Sequence, residues 1–179
     1  MGLNPIQPAA GAVLRMLAAT SNARAVVEIG TGTGVSGLWL LGGLRPDGIL
    51  TTIDVEAEHQ RIARRAFLDA GYAPSRTRLI TGRALEVLPR LADGAYDLVF
   101  VDSQVDEYPA CVEYAHRLLR PGGLLILHGA LAGGRVGDPA ARDTATVMLR
   151  EVMKTIRDDG GWVPALLPVG AGLLCAVRR

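Results

Sequence analysis

The stretch Ala25-Val-Val-Glu-Ile-Gly-Thr-Gly-Thr-Gly-Val-Ser36 places the tightest limit on what this chain can become. Ala25, Val26, Val27 and Ile29 form a short apolar run with the length of a buried strand. Glycine then falls at every second position, at Gly30, Gly32 and Gly34. Without Cβ atoms the backbone there can turn sharply, and a ligand can lie against it. From Val35 through Leu38, Trp39, Leu40 and Leu41 the sequence has the length and composition of a packed helix. Strand, glycine turn and helix N-terminus together make a nucleotide-binding element. A purely structural tight turn is the plainer reading. Three alternating glycines directly after a buried strand argue against it.

The rest of the chain repeats this alternation. Pro8 opens a first helix, carrying Val13, Leu14, Met16 and Leu17, that covers residues 8–20 and ends near Ser21-Asn22. Residues 49–53 form a second strand that stops at Asp54, followed by a helix over 56–70 with Ile62, Ala66 and Phe67 on one face and Gly71 as its cap. A third strand covers 78–80 and a short helix 84–91. A fourth strand covers 96–101 and stops at Asp102. The helix over 109–119 is halted by Pro121-Gly122-Gly123, and a fifth strand over 124–127 stops at His128. A glycine-rich loop over 129–137 and the longest helix, over 138–158, come next. Two last strands, 162–167 and 173–177, flank Gly170-Ala171-Gly172 and read as an antiparallel hairpin.

Five alternations of strand and helix in 179 residues predict one α/β domain over residues 1–179, with a doubly wound parallel sheet. In such sheets ligands sit beyond the carboxyl ends of the strands, where the strand order reverses. The sequence places Gly30–Gly34, Asp54, Asp102 and His128 at those ends. Their convergence from distant stretches is the reason to expect a site.

Composition excludes several classes. A net charge of +1 without a Lys/Arg block argues against a nucleic-acid partner. No apolar run approaches the roughly 20 residues of a membrane helix, and the first residues lack the pattern of a secretory leader. Cys111 and Cys175 are far apart, lack metal-ligand spacing and read as reduced packing residues. The expectation is a cytoplasmic protein.

Asp54 lies about twenty residues past the glycines, where a carboxylate meets ribose hydroxyls. NAD and S-adenosylmethionine both offer such a ribose. Three details favour S-adenosylmethionine. The spacing is G-x-G-x-G, with Val35 where the third dinucleotide glycine would stand. Glu28 sits inside the strand, able to meet the cationic amino acid end of the methyl donor directly or through water. The chain closes on a hairpin and not on a sixth parallel strand.

Taken together, Glu28-x-Gly30-x-Gly32-x-Gly34-x-Ser36, Asp54, Gly82-x-Ala84, Leu88-Pro89, Phe100-Val-Asp102 and Leu119-Arg-Pro-Gly-Gly123 resemble the class I S-adenosylmethionine-dependent O-methyltransferases, in particular the catechol and caffeoyl-CoA O-methyltransferase-like family. The resemblance runs from Pro8 to the final strand. It implies a Rossmann-like, seven-stranded sheet, mostly parallel with the last strand antiparallel. It implies that Glu28, Gly30 and Ser36 hold the amino acid part of the donor, with Thr31, Gly32 and Gly34 completing the loop. Asp54 would hold the ribose, Val55, Arg83 and Ala84 would flank the adenine, and Asp102 would lie beside the methyl-bearing sulfur. A phenol- or catechol-like small-molecule acceptor and a homodimer are further implications.

The acceptor side departs from the family pattern. That pattern holds a divalent cation between an Asp after strand four and an Asp-Asn pair after strand five. Asp102 keeps the first position, but His128-Gly129 replaces the pair, and a frequent lysine is Val105. Glycine offers no side-chain donor, and imidazole is a poor ligand in an oxygen cage for Mg²⁺. The expectation is methyl transfer to a hydroxyl without the metal cage, with Asp102 and His128 as catalytic residues and His128 as general base. Three alternatives stand beside it. In the first His128 serves only to cap its strand; in the second His128, Asp102 and Asp106 ligate a transition metal; in the third the chain binds the donor without transfer, as a sensor or partner subunit. Elsewhere, His59 reads as a solvated or local capping residue, His116 and Trp39 as packing, and the loop over 129–137 as a lid or a plain connection.

Overall fold

The computed structural model describes residues 5–179. Its elements follow the predicted alternation: α1 (Pro8–Thr20), β1 (Ala25–Ile29), α2 (Val35–Gly43), β2 (Ile49–Asp54), α3 (Ala57–Asp69), β3 (Thr77–Thr81), α4 (Ala84–Val87), β4 (Tyr96–Val101), α5 (Tyr108–Leu118), β5 (Leu119–His128), α6 (Thr144–Asp158), β6 (Trp162–Leu167) and β7 (Leu173–Arg178). All seven strands join one sheet in the order β3-β2-β1-β4-β5-β7-β6. The first five run parallel, and β7 lies antiparallel between β5 and β6. This is the α/β, Rossmann-like sheet that the sequence predicts.

The strands are apolar on both faces because both faces are covered. Side chains alternate along a strand. Val27, Ile29, Val99, Val101, Leu125 and Leu127 join one core with α5 and α6. Val26, Leu50, Leu98, Phe100, Leu124 and Ile126 join another with α1, α2 and α3. Carrying the second set two residues further reaches Glu28, Thr52, Asp102 and His128, and two more along β2 reaches Asp54. One register therefore brings the polar candidates to a single face of the sheet. That face belongs to the α1–α3 side, at the carboxyl ends of β1, β2, β4 and β5.

Within that half, α1 rides directly on α2. A Cβ on Gly11 would come within 2.2 Å of the Trp39 indole nitrogen, so the helices meet at a glycine and a half-buried Trp39 packs there. His116 packs edge-on against Trp162, with ring centroids 5.4 Å apart. Cys111 and Cys175 are free and buried, and burial pushes their thiols up to about 12 and about 11.

Four expectations are corrected. The longest helix starts at Thr144 and not at residue 138. Asp138-Pro139 has the look of a cap and first turn, but Asp138 closes a turn on the Ala140 amide (2.9 Å), while Asp143 accepts from the Thr146 amide (3.1 Å) and hydroxyl (2.8 Å) and is the true cap. Strand β5 begins at Leu119, because Leu119 pairs with Tyr96 before the register slips across Pro121-Gly122-Gly123 to Leu124 and Leu98. The buried stripe of α3 is Gln60, Ala63 and Phe67, not Ile62, Ala66 and Phe67. The stretch after β5 coils into a 3₁₀ turn over Ala132–Gly137. Arg150 of α6 holds it by donating to the carbonyls of Val136 (3.0 Å), Ala141 (2.7 Å) and Arg135 (2.9 Å). This segment is tied to α6, and it does not line the cleft described below.

Candidate active site

The strand order reverses between β1 and β4, and a cleft of about 780 Å³ opens beyond their carboxyl ends. Gly30, Thr31, Gly32, Ser36, Asp54, Val55, Arg83, Ala84 and Asp102 all line it. Glu28, Gly34 and His128 do not reach its wall and stand one layer behind.

The glycine loop takes the shape its composition allows. Gly30, Gly32 and Gly34 have φ of +94°, +50° and +90°. Gly30 also faces an obstacle: a Cβ there would lie 2.2 Å from the carbonyl oxygen of Asp102. Backbone ties the strand ends on either side, the Gly30 amide donating to Ile53 of β2 (2.9 Å) and the Asp102 amide to Ile29 of β1 (2.8 Å). Beneath the loop runs a buried polar network. Glu28 accepts from the Ser36 and Thr52 hydroxyls, each at 2.6 Å. The Thr31 and Thr52 hydroxyls lie 2.6 Å apart, and Gln60 donates to Thr31 (2.9 Å) and to the Ile80 carbonyl (3.2 Å). Glu28 therefore does not face the cleft directly; it acts on the cleft through Ser36.

Glu28 is fully buried, and desolvation holds its carboxyl at about 7 against a usual value of 4.5, although its hydrogen bonds to Ser36 and Thr52 pull the other way. From pH 4.5 to about 7 the unfolded chain gives up a proton that the folded chain keeps. Folding stability contributed by this group thus falls with rising pH across that window and levels above it. At about 1.4 kcal/mol per unit the loss is about 3 kcal/mol. Urea unfolding of the native chain and of Glu28→Gln at pH 5 and pH 8 checks this. The native chain is expected to lose about 3 kcal/mol more than the variant, and parallel pH profiles would refute it.

At the end of β2, Asp54 accepts from the Gly32 amide through Oδ2 and from the Glu56 amide through Oδ1, both at 2.9 Å. His59 Nδ1 stands 3.3 Å from both oxygens. Of the two readings of His59, a solvated face or a local cap, the first does not hold, since only 12% of the side chain is exposed. The third residue of α3 points back over its own N-terminus and onto Asp54. Sequence reading also missed Gln60. A polar residue on the same face as Ala63 and Phe67 was the available signal.

At the end of β4, Asp102 keeps 29% of its side chain exposed and accepts or shares a proton with His128 Nδ1 at 2.8 Å. His128 is itself buried, tilted against Phe100 at 6.3 Å between ring centroids, and its Nε2 is buried without a partner. Tyr108 donates to the His128 carbonyl at 2.8 Å and fixes the strand end. Burial raises the Tyr108 phenol far above its ordinary range, so it acts as a neutral donor. Beyond Asp102 the wall is made by Ser103, Gln104, Glu107, Pro5 and Ile6. Glu107, and not Asp106, reaches the cleft. Among the described residues, no three His, Cys, Asp or Glu side chains gather as a metal-binding group. Asp102 finds a histidine beside it where an oxygen cage for Mg²⁺ needs carboxylates or amides, so the donor set does not fit that ion.

Comparison with known proteins decides what kind of chain carries this cleft. The family model described as O-methyltransferase matches residues 3–179. The chain belongs to the O-methyltransferase family. A Mycobacteroides abscessus protein named as an O-methyltransferase is 57% identical over 178 residues, which cover 99% of this chain and 83% of that one. Among solved structures, the O-methyltransferase TomG from Streptomyces achromogenes, determined with S-adenosylmethionine, is 31% identical with a TM-score of 0.87, covering 95% of this chain and 79% of that one. The O-methyltransferase from Bacillus cereus, determined with S-adenosylhomocysteine, is 29% identical with a TM-score of 0.89, covering 98% and 83%. This family membership accounts for the seven-stranded sheet with β7 inserted antiparallel. No helix among the described residues of this O-methyltransferase is long and apolar enough to cross a membrane.

Proposed function

We propose that this O-methyltransferase moves the methyl group of S-adenosylmethionine to a hydroxyl of a phenol- or catechol-like small molecule, without a divalent cation cage. The observation that carries the reading is the Asp102–His128 contact at 2.8 Å on the acceptor edge of a cleft whose other wall is the glycine loop and Asp54. S-adenosylmethionine supplies an electrophilic methyl carbon, whose bond to sulfur breaks as the acceptor oxygen bonds to it.

The protein's own residues divide the work along the cleft. Ser36, backed by Glu28, and the amides of the glycine loop receive the amino acid end of the donor. Asp54 receives the ribose, and Val55, Arg83 and Ala84 bound the adenine. Asp102 is the one carboxylate on the cleft wall at the end of β4, so it meets both the positively charged sulfur and the incoming acceptor. As the oxygen is methylated its proton must leave. Asp102 takes it at the cleft surface, and His128, bonded to Asp102 from behind the wall, shares it. Positioning supplies the rest of the acceleration, by holding oxygen, methyl carbon and sulfur in line.

The test is methyl transfer from labelled S-adenosylmethionine to a panel of phenols and catechols, with and without EDTA, beside calorimetric titration with S-adenosylhomocysteine and with NAD. Turnover on a phenolic acceptor unaffected by EDTA is expected. Activity abolished by EDTA and restored by Mg²⁺ would overturn the cage-free mechanism. Binding of S-adenosylhomocysteine with no turnover across the panel would move the acceptor out of the phenol class. Tight binding of NAD alone would overturn the donor.

A further inference from the structure

We propose that His59 is a positioning residue for the nucleoside end of the donor, fixing the Asp54 carboxylate in the orientation that receives the ribose hydroxyls. The proposal rests on the assignment of this cleft to S-adenosylmethionine. A carboxylate on a short side chain turns freely about its last torsion unless something holds it. Here three donors surround it. The Gly32 amide fixes Oδ2, the Glu56 amide fixes Oδ1, and His59 Nδ1 stands equally far, 3.3 Å, from both. The imidazole straddles the carboxylate and adds a third hold on its orientation. An ionised carboxylate has about four lone-pair sites. The two amides take one site on each oxygen and the shared imidazole proton takes a third, which leaves about one open site for the ribose hydroxyls to share.

The pair is nearly closed off, with 12% of the His59 side chain and 9% of the Asp54 side chain exposed, and His59 lies on the cleft wall. Nδ1 is the ring nitrogen turned toward the carboxylate, and Nε2 points away from it. That Nε2 is buried with no protein partner. A histidine kept for packing alone would gain nothing from such an orphaned nitrogen, which costs free energy to bury. Its polar work is on the Nδ1 side, at Asp54.

The test measures dissociation constants by calorimetry for S-adenosylhomocysteine and its 2′-deoxy analogue, in the native chain, His59→Ala and His59→Asn. Asparagine keeps a donor close to the place of Nδ1. His59→Ala is expected to weaken S-adenosylhomocysteine binding about tenfold, the worth of one hydrogen bond, and His59→Asn less than about threefold. Removing the 2′-hydroxyl is expected to weaken binding to the native chain about tenfold but to His59→Ala less than about threefold, because a carboxylate held by the two amides alone aims its open site at the ribose less closely. Turnover at saturating donor stays within about twofold, so the effect falls on KM. Equal losses for both ligands in His59→Ala would reduce His59 to a support for α3 and overturn the proposal. Unchanged affinity in His59→Ala would overturn it too. Failure of the native chain to bind S-adenosylhomocysteine would overturn the donor assignment itself, a different result from either.

Discussion

A His128→Ala variant is expected to methylate a phenolic acceptor about 10²-fold more slowly than the native chain, while its affinity for S-adenosylhomocysteine changes less than about twofold. The asymmetry follows from place. His128 stands behind Asp102 and does not line the cleft, so the donor loses no contact when the imidazole goes. What goes is the partner that shares the proton leaving the acceptor. Asp102 alone, at the edge of a wall made by Phe100 and Ile126, must then hold that proton without help. A nitro-substituted phenol, already ionised near neutrality, has no proton to give. On that acceptor His128→Ala is expected to match the native chain. A second variant, His128→Asn, keeps a hydrogen-bond donor toward Asp102 but cannot be protonated, and is expected to stay as slow as alanine. Undiminished turnover in His128→Ala on an ordinary phenol would remove His128 from the chemistry. Full rescue by asparagine would make it an orienting group only.

The second large effect is on folding. Gly30→Ala is expected to lower the melting temperature by about 10 °C or to prevent soluble expression. The added Cβ would meet the Asp102 carbonyl oxygen at 2.2 Å and its carbon at 2.8 Å. Neither atom is the movable end of a side chain; both belong to the extension of β4, held by the Asp102 amide to Ile29. A positive φ of +94° adds about 1–2 kcal/mol for any L-residue. Backbone displacement brings the sum to about 4 kcal/mol, and in a domain of this size each kcal/mol lowers the melting temperature by about 2–4 °C. Gly94→Ala is the control. Gly94 also has a positive φ, +62°, but its Cβ would meet nothing within 4 Å. Its cost is expected to be about 1–2 kcal/mol. Melting temperatures of the two variants within about 3 °C of one another would show that the clash with Asp102 does not matter.

Much of this architecture was legible in the residues because the strands announce themselves. Short apolar runs ended by Asp54, Asp102 and His128 mark both the strands and the side of the sheet where function collects. The errors came where two local signals compete. Asp138-Pro139 and Asp143 both look like helix starts, and only the reach of the Asp143 side chain to Thr146 decides between them. Pro121-Gly122-Gly123 reads as the end of a helix, but the pairing of Leu119 with Tyr96 is set across the sheet, which local sequence does not show. The site was legible to the level of residues at strand ends, and no further. Alternation along β5 puts His128 on the correct face. Whether its ring looks into the cleft or against Asp102 depends on a neighbouring strand 26 residues earlier in the chain. His59 gave no local sign of its contact with Asp54, because five residues separate the two and only the start of α3 folds one onto the other.

The seam between Gly30 and Asp102 carries a last consequence. Backbone touches backbone there, so the donor loop and the carboxylate opposite it move as one rigid piece, and no opening of the molecule can pass between them. On the proposed reading the groups that would meet an acceptor are Ser103, Gln104 and Glu107, which line the cleft from a short turn on that piece and can be exchanged one at a time. A chain built this way can be given a new acceptor by rewriting a handful of positions. To give it a new donor would mean taking apart the middle of its sheet.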